Sequence, residues 1–289
     1  MHSIEASDFL AVQNELGEGP LWVPDSGLLY WLDIFKSEVW NYQPASRKLE
    51  TLTVNPAITA LGRRATGGFV TATLKGFAFW DGRSEDLQMT ANPEETKAGL
   101  SFNDGAVDPG GRFWAGTISR EPNASLYRFD PDGSVHLMET GMIVSNGIGW
   151  SPDQRTMYFT FTRRKTIYAY DYDPRSGAIE NRRAFIHSSS EPGVPDGLAV
   201  DQEGFIWSSR CGGWKVIRYD PKGVPEREIR LPTQCPTSCA FGGEGFDVLF
   251  ITTSLSLVPE NERPNQPLAG NLFYMESQIP GLPEPEFLG

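Results

Sequence analysis

Cysteine and histidine are scarce in this chain, with three of each among 289 residues. An odd set of thiols, Cys211, Cys235 and Cys239, cannot supply a fully paired disulfide framework for a chain of this size, so a reducing compartment fits. Cys235 and Cys239 lie close in sequence, but without a second pair or a nearby histidine they fall short of a four-ligand zinc pattern and read as buried thiols. The imidazoles are His2, near the terminus, His136, in a run that reads as an outer strand, and His187, in a loop before three serines. None suits a Ser-His-Asp arrangement or a histidine-rich zinc hydrolase, and no Gly-x-Ser-x-Gly elbow occurs. Positive charge is in deficit too: 25 Lys and Arg against 37 Asp and Glu give a net charge of −12. That is opposite to the field that nucleic acid or an anionic membrane requires. No stretch approaches the roughly 18 apolar residues of a membrane span. The opening Met1–Asp8 carries neither a basic nor an apolar leader segment, so a soluble, cytoplasmic protein is expected.

In abundance are 30 Gly, 22 Pro and a large aromatic set of 8 Trp, 9 Tyr and 17 Phe, the composition of many short strands joined by tight turns. A turn rich in Asp, Pro and Gly followed by an apolar run returns six times: PDSGLLYWLD, ATGGFVTATL, DPGGRFWAGT, SPDQRTMYFT, DQEGFIWSSR and GGEGFDVLFIT. Its period of roughly 40 to 50 residues is that of a propeller blade. After each of the first five copies comes a second strand-like pair, so each of those blades has material for four strands. The last repeat lacks an outer strand, and Phe9–Val12 is expected to supply it, closing the ring and removing an exposed edge. The expectation is an all-β, six-bladed β-propeller with four-stranded blades and a central metal site, occupying residues 1–289 as one domain. Gly281–Pro285 reads as a surface tail. The period also fits a WD-repeat scaffold, but the Trp-Asp and Gly-His signatures are absent from the blade positions; a TIM barrel would need strand–helix alternation.

The innermost strand of each blade lines the channel, so one repeat position forms a ring around the axis. Aligning the segments before the turns sets Glu18, Asp104, Asn146 and Asp196 side by side, with Ala60 and Thr237 completing the six. Asn103 precedes Asp104, and a turn irregularity leaves open which of the two points inward. Asn-Gly and Asp-Gly most often just make turns, but recurrence at one repeat position favours a site. Carboxylates converging on one spot repel, and a divalent cation relieves them. The all-oxygen set suits Ca²⁺, Mg²⁺ or Mn²⁺, with Zn²⁺ and Fe²⁺ as further options.

At these residues the chain resembles the senescence-marker-protein (regucalcin), gluconolactonase and luciferin-regenerating-enzyme family. The match rests on Glu-Gly-Pro-Leu-Trp at 18–22, Phe-Asn-Asp-Gly through Gly-Thr at 102–117, Ser-Asn-Gly at 145–147, Pro-Asp-Gly-Leu-Ala-Val-Asp at 195–201 and Pro-Thr-Ser-Cys-Ala-Phe-Gly-Gly at 236–243. The resemblance implies a six-bladed fold and makes Glu18, Asn146 and Asp196 the ligands of one divalent ion. It also implies that Asn103 faces the substrate or a metal-bound water and that Glu121 lies on the pocket wall. Where the mammalian sugar-lactonase members carry Arg, this chain has Ser101, a short hydroxyl in place of a five-donor fork.

The expected activity is hydrolysis of a small lactone, an aldonolactone such as gluconolactone, with the lactone as the small-molecule partner. The ion polarises the carbonyl and acidifies a water, and Asp196 serves as base. Ser101, Asn103 and Glu121 are expected to share one substrate-binding wall. Arg210, Cys211 and Trp214 read as packing of the fifth blade more than as substrate contacts. Two other readings are a binding propeller with a structural calcium ion and a metal-dependent phosphotriesterase.

Overall fold

The computed structural model describes residues 2–97 and 99–289, apart from the side chain of His2. Six sheets stand around an axis. Their innermost strands, in chain order, are Gly17–Val23, Ile58–Arg63, Ser101–Val107, Ser145–Trp150, Val194–Val200 and Pro236–Gly242. Blades 1 to 5 each run outward through four consecutive antiparallel strands. Blade 6 has three from its own repeat and takes its outermost strand from Ser7–Leu10, which pairs antiparallel with Leu272–Glu276. Closure is therefore by an N-terminal strand lying slightly ahead of the expected Phe9–Val12. Phe9 holds it in place against Tyr42, Phe250 and Tyr274. His2–Glu5 adds a fifth, parallel strand to the edge of blade 5, which the repeat does not announce.

The repeated turn explains why the blades look alike in sequence. In each, an N–H donates to the carbonyl three residues earlier: Gly27 to Pro24, Gly67 to Arg64, Gly111 to Asp108, Gln154 to Ser151, Gly204 to Asp201 and Phe246 to Gly243. All six donors sit at positive φ, a conformation glycine adopts without the Cβ clash other residues incur. In blades 3 and 5 the Asp that opens the turn also accepts an indole N–H six residues on. Trp114 Nε1 lies 2.8 Å from Asp108 Oδ2 and Trp207 Nε1 lies 2.9 Å from Asp201 Oδ2. The Asp-x-x-Gly-x-x-Trp pattern thus fixes both the turn and the buried ring that follows.

Blades meet through apolar side chains facing across their interfaces, as where Val70 and Phe77 of blade 2 meet Phe102, Phe113 and Phe129 of blade 3. Burial of a large side chain contributes about 1.5–3 kcal/mol. Gly281–Pro285 is exposed at Pro283 and Glu284, as a surface tail would be, but the chain around it is tied down. Gly281 bridges to Asp201 and is buried, Phe287 bridges to Arg64, and Leu288 N donates to Gly111 O. The tail crosses the end of the channel from blade 5 to blades 2 and 3 because Phe287 is driven into the core, stacked 5.5 Å from Phe129. Its prolines have no N–H to leave unpaired on the way. No helix among the described residues is long and apolar enough to cross a membrane.

Candidate active site

Each innermost strand carries a bulge at the same level. The pairing register shifts between Glu18 and Leu21, Ile58 and Ala60, Phe102 and Gly105, Asn146 and Ile148, Pro195 and Leu198, and Pro236 and Cys239. A bulge opposes two residues to one and re-aims a side chain. Six of them at one level gather Glu18, Thr59, Asn103, Asn146, Asp196 and Thr237 around the channel. In blade 2 the bulge takes Thr59, while Ala60, the residue aligned from sequence, packs in the core with Phe77 and Phe102.

Neighbouring blades touch at this level. Asn103 Nδ2 donates to Asn146 Oδ1 at 2.9 Å and to Ser145 O at 2.8 Å. Asn146 Nδ2 donates to Thr162 Oγ1 at 2.9 Å, so the Asn146 amide oxygen is oriented from behind. A Cβ on Gly147 would lie 2.9 Å from Asp196 O, and one on Gly197 would collide with Ser238. Thr237 Oγ1 reaches Gly17 O, next to Glu18. The glycines beside Asn146 and Asp196 are therefore what lets the strands close around the axis, a reason for the Asn-Gly and Asp-Gly pairs beyond turn formation.

The side chains of Glu18, Asn146 and Asp196 are 8%, 4% and 6% exposed. Burial, then the charges of Asp196 and Asp104, holds the Glu18 carboxyl well above the usual carboxylate range. Burial, then Asp104 and Cys235, does the same to Asp196. Burial also pushes Asp104 up to about 6, against the opposing bond from Gly105 N. Asp196 Oδ1 is buried without a hydrogen-bond partner, an expensive condition for a carboxylate. Among the described residues no three His, Cys, Asp or Glu side chains form a metal-holding group, so any ion here draws on amide oxygen as well. The residues fit one: two buried carboxyls with raised pKa, one of them with an orphaned oxygen, and an oriented amide make a hard, negatively charged donor set.

Below this level the channel narrows to a space of about 50 Å³ bounded by Asp104, Glu284 and Pro285. Asp104 thus faces the floor while Asn103 faces Asn146. Glu284, an exposed residue, lines this space and the neighbouring cavity. Ser101 lies at the other end of its strand, paired with Ile118, on the wall of an open cavity. Glu121 is exposed in the connection that follows; its backbone N–H bonds to Ser119 Oγ and its carboxylate has no partner among the described residues.

Two neighbours were not legible in sequence spacing. Cys211 and Cys235, from different blades, bring their sulfurs within 2.7 Å, whereas Cys239 packs apart in the core, where burial raises its pKa to about 12. Arg210 is buried and bonds Ser188 Oγ and Gly193 O, which assigns it to holding the 188–193 loop. Trp214 is exposed. His136 and His187 are exposed on outer strands, and the His2 side chain lies outside the described residues.

The SMP-30/Gluconolactonase/LRE-like region family matches residues 16–255. A Pseudomonas putida protein named 6-deoxy-6-sulfogluconolactonase is 36% identical over 279 residues, 95% of each chain. Pentonolactonase XacC of Haloferax volcanii is 35% identical over 274 residues, 93% of each chain. The crystal structure of a calcium-binding protein, regucalcin, from Agrobacterium tumefaciens matches with a TM-score of 0.94 at 27% identity, covering 99% of each chain.

Proposed function

We infer the activity of this chain from its kinship: it belongs to the SMP-30/Gluconolactonase/LRE-like family, and relatives named as lactonases support lactone hydrolysis at the level of the family. The reading is hydrolysis of a sugar lactone, an aldonolactone, at the bulge level of the channel, with one divalent ion held by Glu18, Asn146 and Asp196. The observation that carries it is the orphaned Asp196 Oδ1, buried among carboxyls whose pKa values are all raised. A hard divalent ion bound there would polarise the lactone carbonyl and acidify a water. Kinship to a protein described as calcium-binding supports a divalent ion, and the oxygen donors favour Ca²⁺, Mg²⁺ or Mn²⁺ over softer metals.

The chain's own groups account for the rest. Asp196 takes the proton of the attacking water and returns it to the ring oxygen as the acyl C–O bond breaks, leaving the open hydroxy acid. Both hydrogens of the Asn103 amide group are engaged by Ser145 and Asn146, so its free oxygen meets the water or a substrate hydroxyl. Ser101 and Glu121 supply outer hydroxyl contacts. The test is a panel of five- and six-membered aldonolactones followed by proton release with wild type and Asp196→Asn. Turnover of at least one lactone by wild type, lost in the variant, supports the reading. Failure of the whole panel with metal confirmed bound would favour a binding propeller.

A further inference from the structure

Ser101 and Asn103 lie two residues apart on one strand, about 7 Å. Around Ser101 opens a cavity of about 610 Å³ whose walls include Ile118, Val144, Arg120 and Arg163. Ile118 and Val144 bridge to each other, joining blades 3 and 4 just outside the Asn103–Asn146 contact. Both arginines are exposed, and neither has an ion pair or side-chain hydrogen bond among the described residues. Elsewhere Arg63, Arg112, Arg128, Arg183, Arg218 and Arg230 each pair with a carboxylate. Acidic residues are in excess, 37 to 25, so two cations on one cavity wall without a carboxylate run against the prevailing charge.

Their backbones are tied to the site. Arg163 follows Thr162, the acceptor for Asn146 Nδ2, and Arg120 follows Ser119, whose N–H donates to Ile143 O at 2.8 Å. The short Ser101 side chain lines the same cavity.

We propose that Arg120 and Arg163 form an anion subsite that receives a carboxylate, phosphate or sulfonate carried by the lactone at the end remote from its ester. The proposal rests on the lactonase reading for the ester and adds the charge of the substrate. Guanidinium forks match the two or three oxygens of such a group. The subsite also offsets the repulsion that the channel carboxyls exert on an anion.

The experiment compares kcat/KM for gluconolactone with that for its 6-phosphate and for a glucarolactone, at low and high salt, in wild type, Arg120→Gln and Arg163→Gln. The readout is the charged-to-neutral ratio within each protein, and the two charged lactones separate phosphate from carboxylate recognition. Wild type is expected to favour at least one charged lactone by about 10-fold, the yield of roughly one charge-assisted hydrogen bond. That ratio should fall with salt and collapse in both variants. Hydrolysis of the neutral lactone with a ratio near one in wild type overturns the subsite and leaves the lactonase reading intact. If no lactone is hydrolysed, that reading fails, and calorimetry with glucose and glucose 6-phosphate decides the subsite. Phosphate-dependent binding lost in the arginine variants supports it, and equal or absent binding of the two sugars overturns it.

Discussion

Thr162 shows how the site is held from outside its ligand set. Its hydroxyl accepts from Asn146 Nδ2, so Thr162→Val, nearly isosteric, frees the amide to rotate. A 10- to 100-fold loss of metal affinity, of the order found for lost orienting partners, is expected in calorimetric titration, with the melting profile little changed. Unaltered affinity would remove Thr162 from the account. The raised carboxyls give a second expectation. A carboxyl whose folded pKa exceeds its unfolded one contributes stability that is fully present below the unfolded value and is lost as pH rises through the folded value. For Asp104 that window runs from about 4 to about 6, and Glu18 and Asp196 shift in the same direction. The metal-free protein should therefore lose stability across this range. A divalent ion should raise the melting temperature more at pH 8 than at pH 5, and equal increments would contradict the coupling. Asn103 marks the limit of sequence at this scale. Whether it or Asp104 faced Asn146 depended on a bulge, and a bulge is set by pairing across the strand, which a single strand's sequence does not encode.

Among the elements, the C-terminal strap and the closing strand do work that residue patterns disguised. Proline-rich spacing in Gly281–Pro285 reads as a surface tail, and the anchor, Phe287, lies just beyond it. Its ring is fully buried between blades 2 and 3. Phe287→Ala should cost about 3–5 kcal/mol by the lost burial and the cavity left behind, measurable by denaturant unfolding. A change below about 1 kcal/mol would mean the strap contributes little. The repeated turns, by contrast, were readable because each needs a residue at positive φ and glycine marks four of the six. Blade 4 uses Gln154 and blade 6 Phe246 at the same position.

For the whole molecule, period and composition were enough to imply six blades because each blade repeats the same local chemistry. The ring of polar residues followed from that repetition. The contact of Cys211 with Cys235 did not, since it depends on how the end of a blade 5 strand packs against the start of blade 6. We expect residues 1–289 to unfold as one unit, because Ser7–Leu10 completes blade 6 and the strap ties blade 5 to blades 2 and 3. Calorimetry should show one transition, and two separated ones would argue for independent parts. The central claim is that lactone hydrolysis depends on one divalent ion at Glu18, Asn146 and Asp196. Its most direct test is the rate of aldonolactone opening by chelator-stripped protein as Ca²⁺, Mg²⁺ or Mn²⁺ is titrated in, followed by proton release. The account predicts a rate that starts near the uncatalysed level and saturates at one ion per chain. Full activity in the stripped protein, unchanged by any added ion, would contradict it.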